Sequence, residues 1–368
     1  MRLDPSIVRE IASEAGFDLV RFGPADPGED ADRFAAWLDS GRHGEMDYLA
    51  RNADRIRDPA RFAPGARSTI ALAYDYSTPQ ATSVRGGGKV ARYARGRDYH
   101  RFLGKATRRI RGELERAGAP VGSIKVGTDA VPILERALSL RAGIGFLAKS
   151  AGIIHPALGP YLLLSELVTP FELPWDEASP GSCGTCTRCL DACPTGAITA
   201  PFEVDARRCL SYTTIELRGS IPRELREPQG DWLFGCDVCL EVCPFTSKST
   251  AQERPELATH PALERFPLVG ILELGEEDWN EHWVGTAMRR ATRSGLRRNA
   301  AVVLGNLRDE RATPALCRAL DDEDAIVREH AAWALGRIAP RTPELARRLG
   351  IEQEPRVVDE LRASLARR

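Results

Sequence analysis

The chain has 368 residues, of which 43% are hydrophobic and 28% charged, with a formal net charge of −1. That length holds two or three modest domains with real cores, and the composition excludes a disordered chain. A balance this close to neutral also excludes nucleic-acid binding through overall charge, so any such surface must be local.

The opening MRLDPSIVREIASEAGF carries acids early and lacks a long apolar core, so it reads as a helix and not as a secretory signal. No run of about 18 apolar residues occurs, and a soluble, cytoplasmic protein without membrane contact is expected. Helical and strand-like pieces alternate over residues 1–175. SIVREIASEAGF is an amphipathic helix closed by glycine, and DLVRFGPA is a strand entering a turn. RFAAWLDSG is a second helix, and the β-branched and aromatic STIALAYDYS is a buried strand. TPQATSVRGGGKV is a polar, glycine-rich surface loop. YHRFLGKATRRIRGELERAG gives a long helix, IKVGTD a strand, VPILERALSLRAG a helix with a glycine stop, and PYLLLSELVT a further strand. Helices packed around a sheet follow, in an α/β or α+β domain.

Eight of the nine cysteines lie in the second segment, 176–250, between Cys183 and Cys243, which argues for cluster ligation in a reducing compartment. CGTCTRCLDACPTGAI and CDVCLEVCPF each end in Cys-Pro. In two-cluster ferredoxins the C-x2-C-x2-C loop supplies three thiolates and the cysteine before proline crosses to the other cluster. Cys183, Cys186, Cys189 and Cys243 then make one 4Fe-4S site. Cys193, Cys236 and Cys239 supply three ligands of the other, and Cys209 is the one nearby candidate for the fourth. Paired zinc sites are the alternative for C-x2-C pairs, but the two prolines, Pro194 and Pro244, stand where ferredoxin prolines stand. Cys317 reads as a buried packing residue.

The third segment, 251–368, is purely helical. LRRNAAVVLGNL from Leu296 and VREHAAWALGRI from Val327 repeat at 31 residues, aligning Ala300 with Ala331, Leu304 with Leu335 and Gly305 with Gly336. This is the pattern of HEAT-like helix pairs with a glycine at the turn, forming a cap on the rest. MRRATRSGLRRN places Arg289, Arg290, Arg293, Arg297 and Arg298 together without an acid. On a helix they form a basic face, either for nucleic-acid phosphates or merely solvated.

GRHGEMDYLARNADRIRDP, PGARSTIALAYDY, RYARGRDYH, TDAVPILERALSLRAGIGF, both cysteine motifs and GLRRNAAVVLGN together resemble the epoxyqueuosine reductase family, in order from about residue 5 to residue 340. The resemblance implies a cobalamin-dependent iron-sulfur oxidoreductase that removes the epoxide oxygen of epoxyqueuosine at the wobble position of tRNA, with an unidentified electron donor. It implies a fold related to reductive dehalogenases. The chain shows no D-x-H-x-x-G, so cobalt without a lower histidine ligand is expected. Asp129 matches the family's proton donor; by itself an aspartate at a strand end before a helix reads as an N-cap. To act as an acid at neutral pH it needs a raised pKa, which burial against the corrin would give. Tyr93, Asp98, Tyr99 and His100 match a segment near the corrinoid, though each reads equally as a hydrogen-bonded structural residue. Lys149 matches the lysine of a G-W-x-G-K segment, here GFLAK, in which Phe146 and Ala148 depart from the pattern. Ser211 is expected near the corrinoid. Glu216 and Arg218 in TIELRGSIP are placed to meet the anticodon loop, whose unstacked bases are the usual target of sequence-specific RNA recognition. A monomer is expected. The other readings are a corrinoid dehalogenase of a small organohalide, which has no use for the arginine-rich C-terminal part, and an electron carrier, which leaves the first domain unexplained.

Overall fold

The computed structural model describes residues 3–78, 83–250 and 253–367. By internal contacts the chain groups differently from the three segments of the sequence. It forms two interleaved units, one from Met1–Pro79, Asp98–Ala206 and Val238–Glu256, the other from Gln80–Arg97, Arg207–Asp237 and Leu257–Arg368. The cysteine segment is therefore shared between units.

The first unit is built on a four-stranded sheet in the order Leu19–Pro24, Ser68–Asp75, Leu162–Thr169, Lys125–Gly127, every neighbour antiparallel. Successive strand residues point to opposite faces. Along Ser68–Asp75 the even side of the strand carries Tyr74, whose ring meets Phe102 at 5.4 Å on the long helix Tyr99–Arg116. The odd side carries Ala71 and Ala73, which pack with Ala142 and Ile144 just beyond the helix Glu135–Arg141. With both faces covered, all eight residues of this strand are buried. Sequence alternation had left α/β and α+β open; the antiparallel pairing makes the sheet α+β.

The long helix buries Leu103, Thr107, Ile110 and Leu114, one stripe at helical spacing. Asp98 caps it, its carboxylate accepting the His100 N–H at 3.1 Å. The helix expected from Val131 starts only at Glu135. Pro132 disfavours helical backbone at the residue before it, so 128–134 stays an irregular loop. The glycine-rich loop expected over 78–90 falls partly on residues 79–82, outside the described residues; its end forms the short strand Lys89–Val90.

In the second unit, Lys89–Val90 pairs parallel with Trp232–Phe234, and helices Thr292–Leu307, Ala325–Ile338 and Pro355–Leu365 stack in sequence order. The repeat glycines are not at turns. Each lies inside a helix, where a Cβ on Gly305 would sit 2.7 Å from the Trp333 ring and one on Gly336 2.5 Å from Ser364 Oγ. The 31-residue repeat thus encodes one device used twice, a bare backbone patch that lets the next helix approach. Ala300, Leu304, Ala331 and Leu335 are fully buried at the same contacts.

Candidate active site and cluster loops

The Pro132 loop carries Asp129 at φ +56°, a left-handed conformation that costs a non-glycine residue about 1–2 kcal/mol. Such strain persists only where surrounding contacts fix it, and here they do. Asp129 Oδ2 accepts hydrogen bonds from the Tyr99 hydroxyl and, at 3.0 Å, from His100 Nε2. The other ring nitrogen of His100 lies 2.8 Å from Asp98 Oδ1, and the Asp129 N–H donates to Glu135 Oε2 at 3.2 Å. Asp129 therefore does not cap a helix. Its own backbone is held by the first residue of the helix that follows.

Burial by itself disfavours imidazolium at His100, but its hydrogen bonds to Asp129 and Asp98 prevail and push it up to about 9. Burial likewise tends to raise Asp129, yet the bonds from His100 and Tyr99 bring its carboxyl below the usual range. In the protein itself the carboxyl thus lies low because its Oδ2 faces a cation and a hydroxyl; the rise expected from burial against the corrin is a separate effect. At neutral pH the pair holds its proton on the imidazole.

Asp129, Tyr99, Glu135 and Arg136 line one side of a cavity of about 200 Å³, and Tyr76, Ile153, Leu162, Leu163 and Leu164 line much of the rest. Behind it, Glu166 is fully buried and accepts from Ser139 Oγ at 3.0 Å, while its other oxygen has no partner among the described residues. Burial pushes Glu166 well up, and pushes Glu135 up to about 8, with Asp129 adding to that rise. The sequence reading missed both glutamates. The available signal was a Ser-Glu pair inside the otherwise apolar strand LLLSELVT.

Of the other residues matched by resemblance, Tyr99, His100 and Asp98 gather at this cavity or its rim. Tyr93 lies in the second unit, its ring 6.4 Å from Phe234, and Ser211 in that unit's helix Leu210–Ile215. Lys149 grips a cysteine loop: its Nζ donates to the carbonyls of Gly184 at 2.7 Å and Cys186 at 3.0 Å, and its N–H points at Cys183 Sγ at 3.4 Å. Phe146, which departs from the family pattern, meets Phe245 edge-on at 5.2 Å. With Ala148 and Ile154 it forms an apolar patch on which Cys183 and Cys243 pack.

None of the nine cysteines is in a disulfide. The short helices Arg188–Ala192 and Val238–Glu241 pack together, which brings the end of the second cysteine motif back to the first. Burial, and then the neighbouring Cys183 and Cys186, raise both Cys189 and Cys243, so these four sulfurs share one neighbourhood. At Cys193, burial is outweighed by backbone N–H groups that favour thiolate, one of them from Ala197 at 3.2 Å. Cys193 and Cys239 belong to the first unit, Cys209 and Cys236 to the second. Cys317, expected to be buried, is only partly so; its sulfur lies 3.9 Å from Thr342 Oγ1.

The arginine run does not form one basic face. Arg297 and Arg298 are 7% and 0% exposed, because their helix is buried on every side from Gly295 to Gly305. Arg297 bonds the Leu272 carbonyl and pairs with Asp322. Arg298 donates to the carbonyls of Thr213, Leu217 and Gly219 at 2.7–2.9 Å. Asn299 adds Thr214 and Leu233. Arg298 and Asn299 therefore tie down the segment 213–233, and Arg297 and Arg298 are both unavailable to phosphates. Arg293 pairs with Glu323, and Arg290 forks onto Glu216 at 2.9 and 3.0 Å. Arg218 donates to the Arg290 carbonyl at 2.8 Å. Arg289 is exposed and lies over the Trp279 ring at 5.0 Å, with no carboxylate partner among the described residues.

Comparison with known proteins matches this arrangement piece by piece. Residues 57–130 match the family described as Epoxyqueuosine reductase QueG, DUF1730, residues 182–246 the 4Fe-4S double cluster binding domain, and residues 283–367 HEAT repeats. The chain is 35% identical over 335 residues to the epoxyqueuosine reductase of Xanthomonas campestris pv. campestris, covering 89% of this chain and 94% of that one. It is 32% identical to that of Escherichia coli K12, covering 98% and 96%. A crystal structure of epoxyqueuosine reductase with a tRNA-Tyr epoxyqueuosine-modified stem loop superposes with a TM-score of 0.88 at 29% identity, covering 98% and 97%. A Bacillus subtilis epoxyqueuosine reductase, described with its catalytic aspartate loop swung out of the active site, gives 0.87 at 29%, covering 98% and 97%. These likenesses do not favour the dehalogenase reading. A chain matched this closely along nearly its whole length belongs to the epoxyqueuosine reductase family, oxidoreductases that use two 4Fe-4S clusters and cobalamin to reduce epoxyqueuosine to queuosine in tRNA.

Proposed function

We propose that Asp129 protonates the departing epoxide oxygen in the cavity beside it, drawing on the proton stored at His100. One observation carries this: a strained, half-exposed carboxylate at a cavity wall, tied through one oxygen to an imidazole and a tyrosine hydroxyl. The pair titrates as a unit, so the proton it can give belongs to both groups. Tyr99 and Asp98 orient it, the first through Asp129 and the second through His100. The B. subtilis enzyme, whose aspartate loop has been seen swung out, supports a mobile role for the loop 128–134.

The apolar cavity wall of Tyr76, Ile153 and Leu162 to Leu164 would lie against one face of a corrin, and cobalamin bound there would supply low-valent cobalt for the two-electron reduction. Cys183, Cys186, Cys189 and Cys243 hold one cluster; Cys193, Cys209, Cys236 and Cys239 hold the other. Lys149 serves the first cluster loop more directly than the corrinoid. The catalytic part corresponds to residues 1–175, the cluster part to 176–250 and the tRNA-contacting helical part to 251–368. Arg289, with the Glu216, Arg218 and Arg290 group, faces tRNA, and the tRNA substrate sets the enzyme in the cytoplasm. Reduced protein with cobalamin should convert epoxyqueuosine-bearing tRNA to queuosine by mass spectrometry, and should hold about eight irons per chain. Conversion that proceeds equally without cobalamin would overturn the corrinoid assignment.

A further inference from the structure

Removing an epoxide oxygen as water breaks two C–O bonds, forms one C=C bond and consumes two electrons and two protons. The clusters and cobalamin, recharged by an external reductant, account for the electrons. The His100–Asp129 pair holds one proton, and the second needs a source in the same cavity.

We propose that Glu135 is the second acid, a carboxyl on the wall of the Asp129 cavity that gives its proton to the departing oxygen so that it leaves as water. This rests on the assignment of Asp129 as the first acid. Glu135 lines the same cavity and is fixed by geometry, since its Oε2 accepts the Asp129 N–H at 3.2 Å. A proton on this carboxyl therefore sits on Oε1. The groups facing it explain why it keeps that proton. Asp129 from the loop and Glu166 from the strand are acids, and Glu166 is fully buried with one oxygen unpartnered among the described residues. Against them stand Arg136 on the same helix and His100 on the long helix, both favouring ionisation. Burial and the Asp129 carboxylate win, and the group stays neutral up to about pH 8. Glu166, bonded to Ser139 and itself held neutral, keeps a second buried carboxyl behind the first. After turnover both His100 and Glu135 refill from solvent through the cavity mouth.

A purely structural role is distinct, because Glu135 also anchors the Asp129 loop. Glu135→Gln keeps an acceptor for the Asp129 N–H but has no acidic proton; Glu135→Ala loses both. In single-turnover reduction of epoxyqueuosine-bearing tRNA by the reduced holoenzyme, the wild-type rate should fall as pH rises through about 8. Glu135→Gln should be slower by about 100-fold or more and should lose the fall through about 8, keeping only the later fall near 9 set by His100. Difference infrared spectra of the protein without tRNA should show a carboxylic-acid carbonyl band that titrates over the same range and is absent from Glu135→Gln. A Glu135→Gln rate equal to wild type, or a slow Glu135→Gln that still falls through about 8, would overturn the proposal and leave Glu135 as a loop anchor. Asp129→Asn in the same assay tests the first acid separately: retained turnover there removes Asp129, while the fall through about 8 and the band still decide Glu135.

Discussion

The cavity wall of the first unit and the arginine run of the second handle charge in opposite ways. Around Asp129, ionisable groups far apart in sequence, from Asp98 and His100 to Glu166, converge on one small space. In the run from Arg289 to Arg298, charges adjacent in sequence are dispersed, each to its own carbonyl or carboxylate. Charge density along the chain is therefore a poor guide to charge density in space. What decides is whether the element carrying the charges has a solvent side. The helix Thr292–Leu307 has almost none.

The largest expected effect tests the converged side. Asp129→Asn keeps the size of the side chain and removes its capacity to relay a proton. Turnover should drop by about 100-fold to 10,000-fold, read as queuosine formed per enzyme in a single-turnover assay. Iron content and melting temperature should match wild type, since the loop's anchor is a backbone N–H that the substitution leaves in place. A drop of that size with lost iron would instead mark Asp129 as a structural residue.

Much of this was legible beforehand, for identifiable reasons. Every strand of the four-stranded sheet, the long helix and the cysteine loops announce themselves through local periodicity or spacing, which depend on nearest neighbours. Asp129 was legible through its family motif, but its protonation was not, because the sign of the shift depends on His100, 29 residues away. The roles of Gly305 and Gly336 escaped for the same reason: a glycine near a helix end reads as a stop until the partner helix is seen lying on it. Arg298 was illegible because an arginine solvated by carbonyls leaves no acidic partner in the sequence to betray it.

The next effect tests the dispersed side. Arg298→Ala strands the carbonyls of Thr213, Leu217 and Gly219 in a buried setting. At about 1–3 kcal/mol for each unsatisfied buried group, partly relieved by relaxation, the loss should be about 3 kcal/mol or more, visible in chemical denaturation. Any weakening of tRNA binding should then be the same at every salt concentration, the mark of a damaged fold and not of a lost phosphate contact.

Arg289→Ala is the small and discriminating counterpart. Arg289 sits in the same run but is exposed, bonded only to the Trp279 carbonyl at 3.1 Å and weakly to Asn280, and stacked on an indole. Its charge is unspent, whereas Arg290 and Arg293 are paired with acids. If the run touches phosphate through this residue, removing it lowers the slope of log affinity against log salt by about 1, so the loss is greatest in low salt and fades as salt rises. Stability should change by no more than about 0.5 kcal/mol, as for most exposed positions. A salt-dependent loss at Arg289 beside a salt-independent one at Arg298 would separate two arginines nine positions apart into a contact and a strut. Identical salt behaviour of the two variants would mean that the whole run, Arg289 included, serves only the fold.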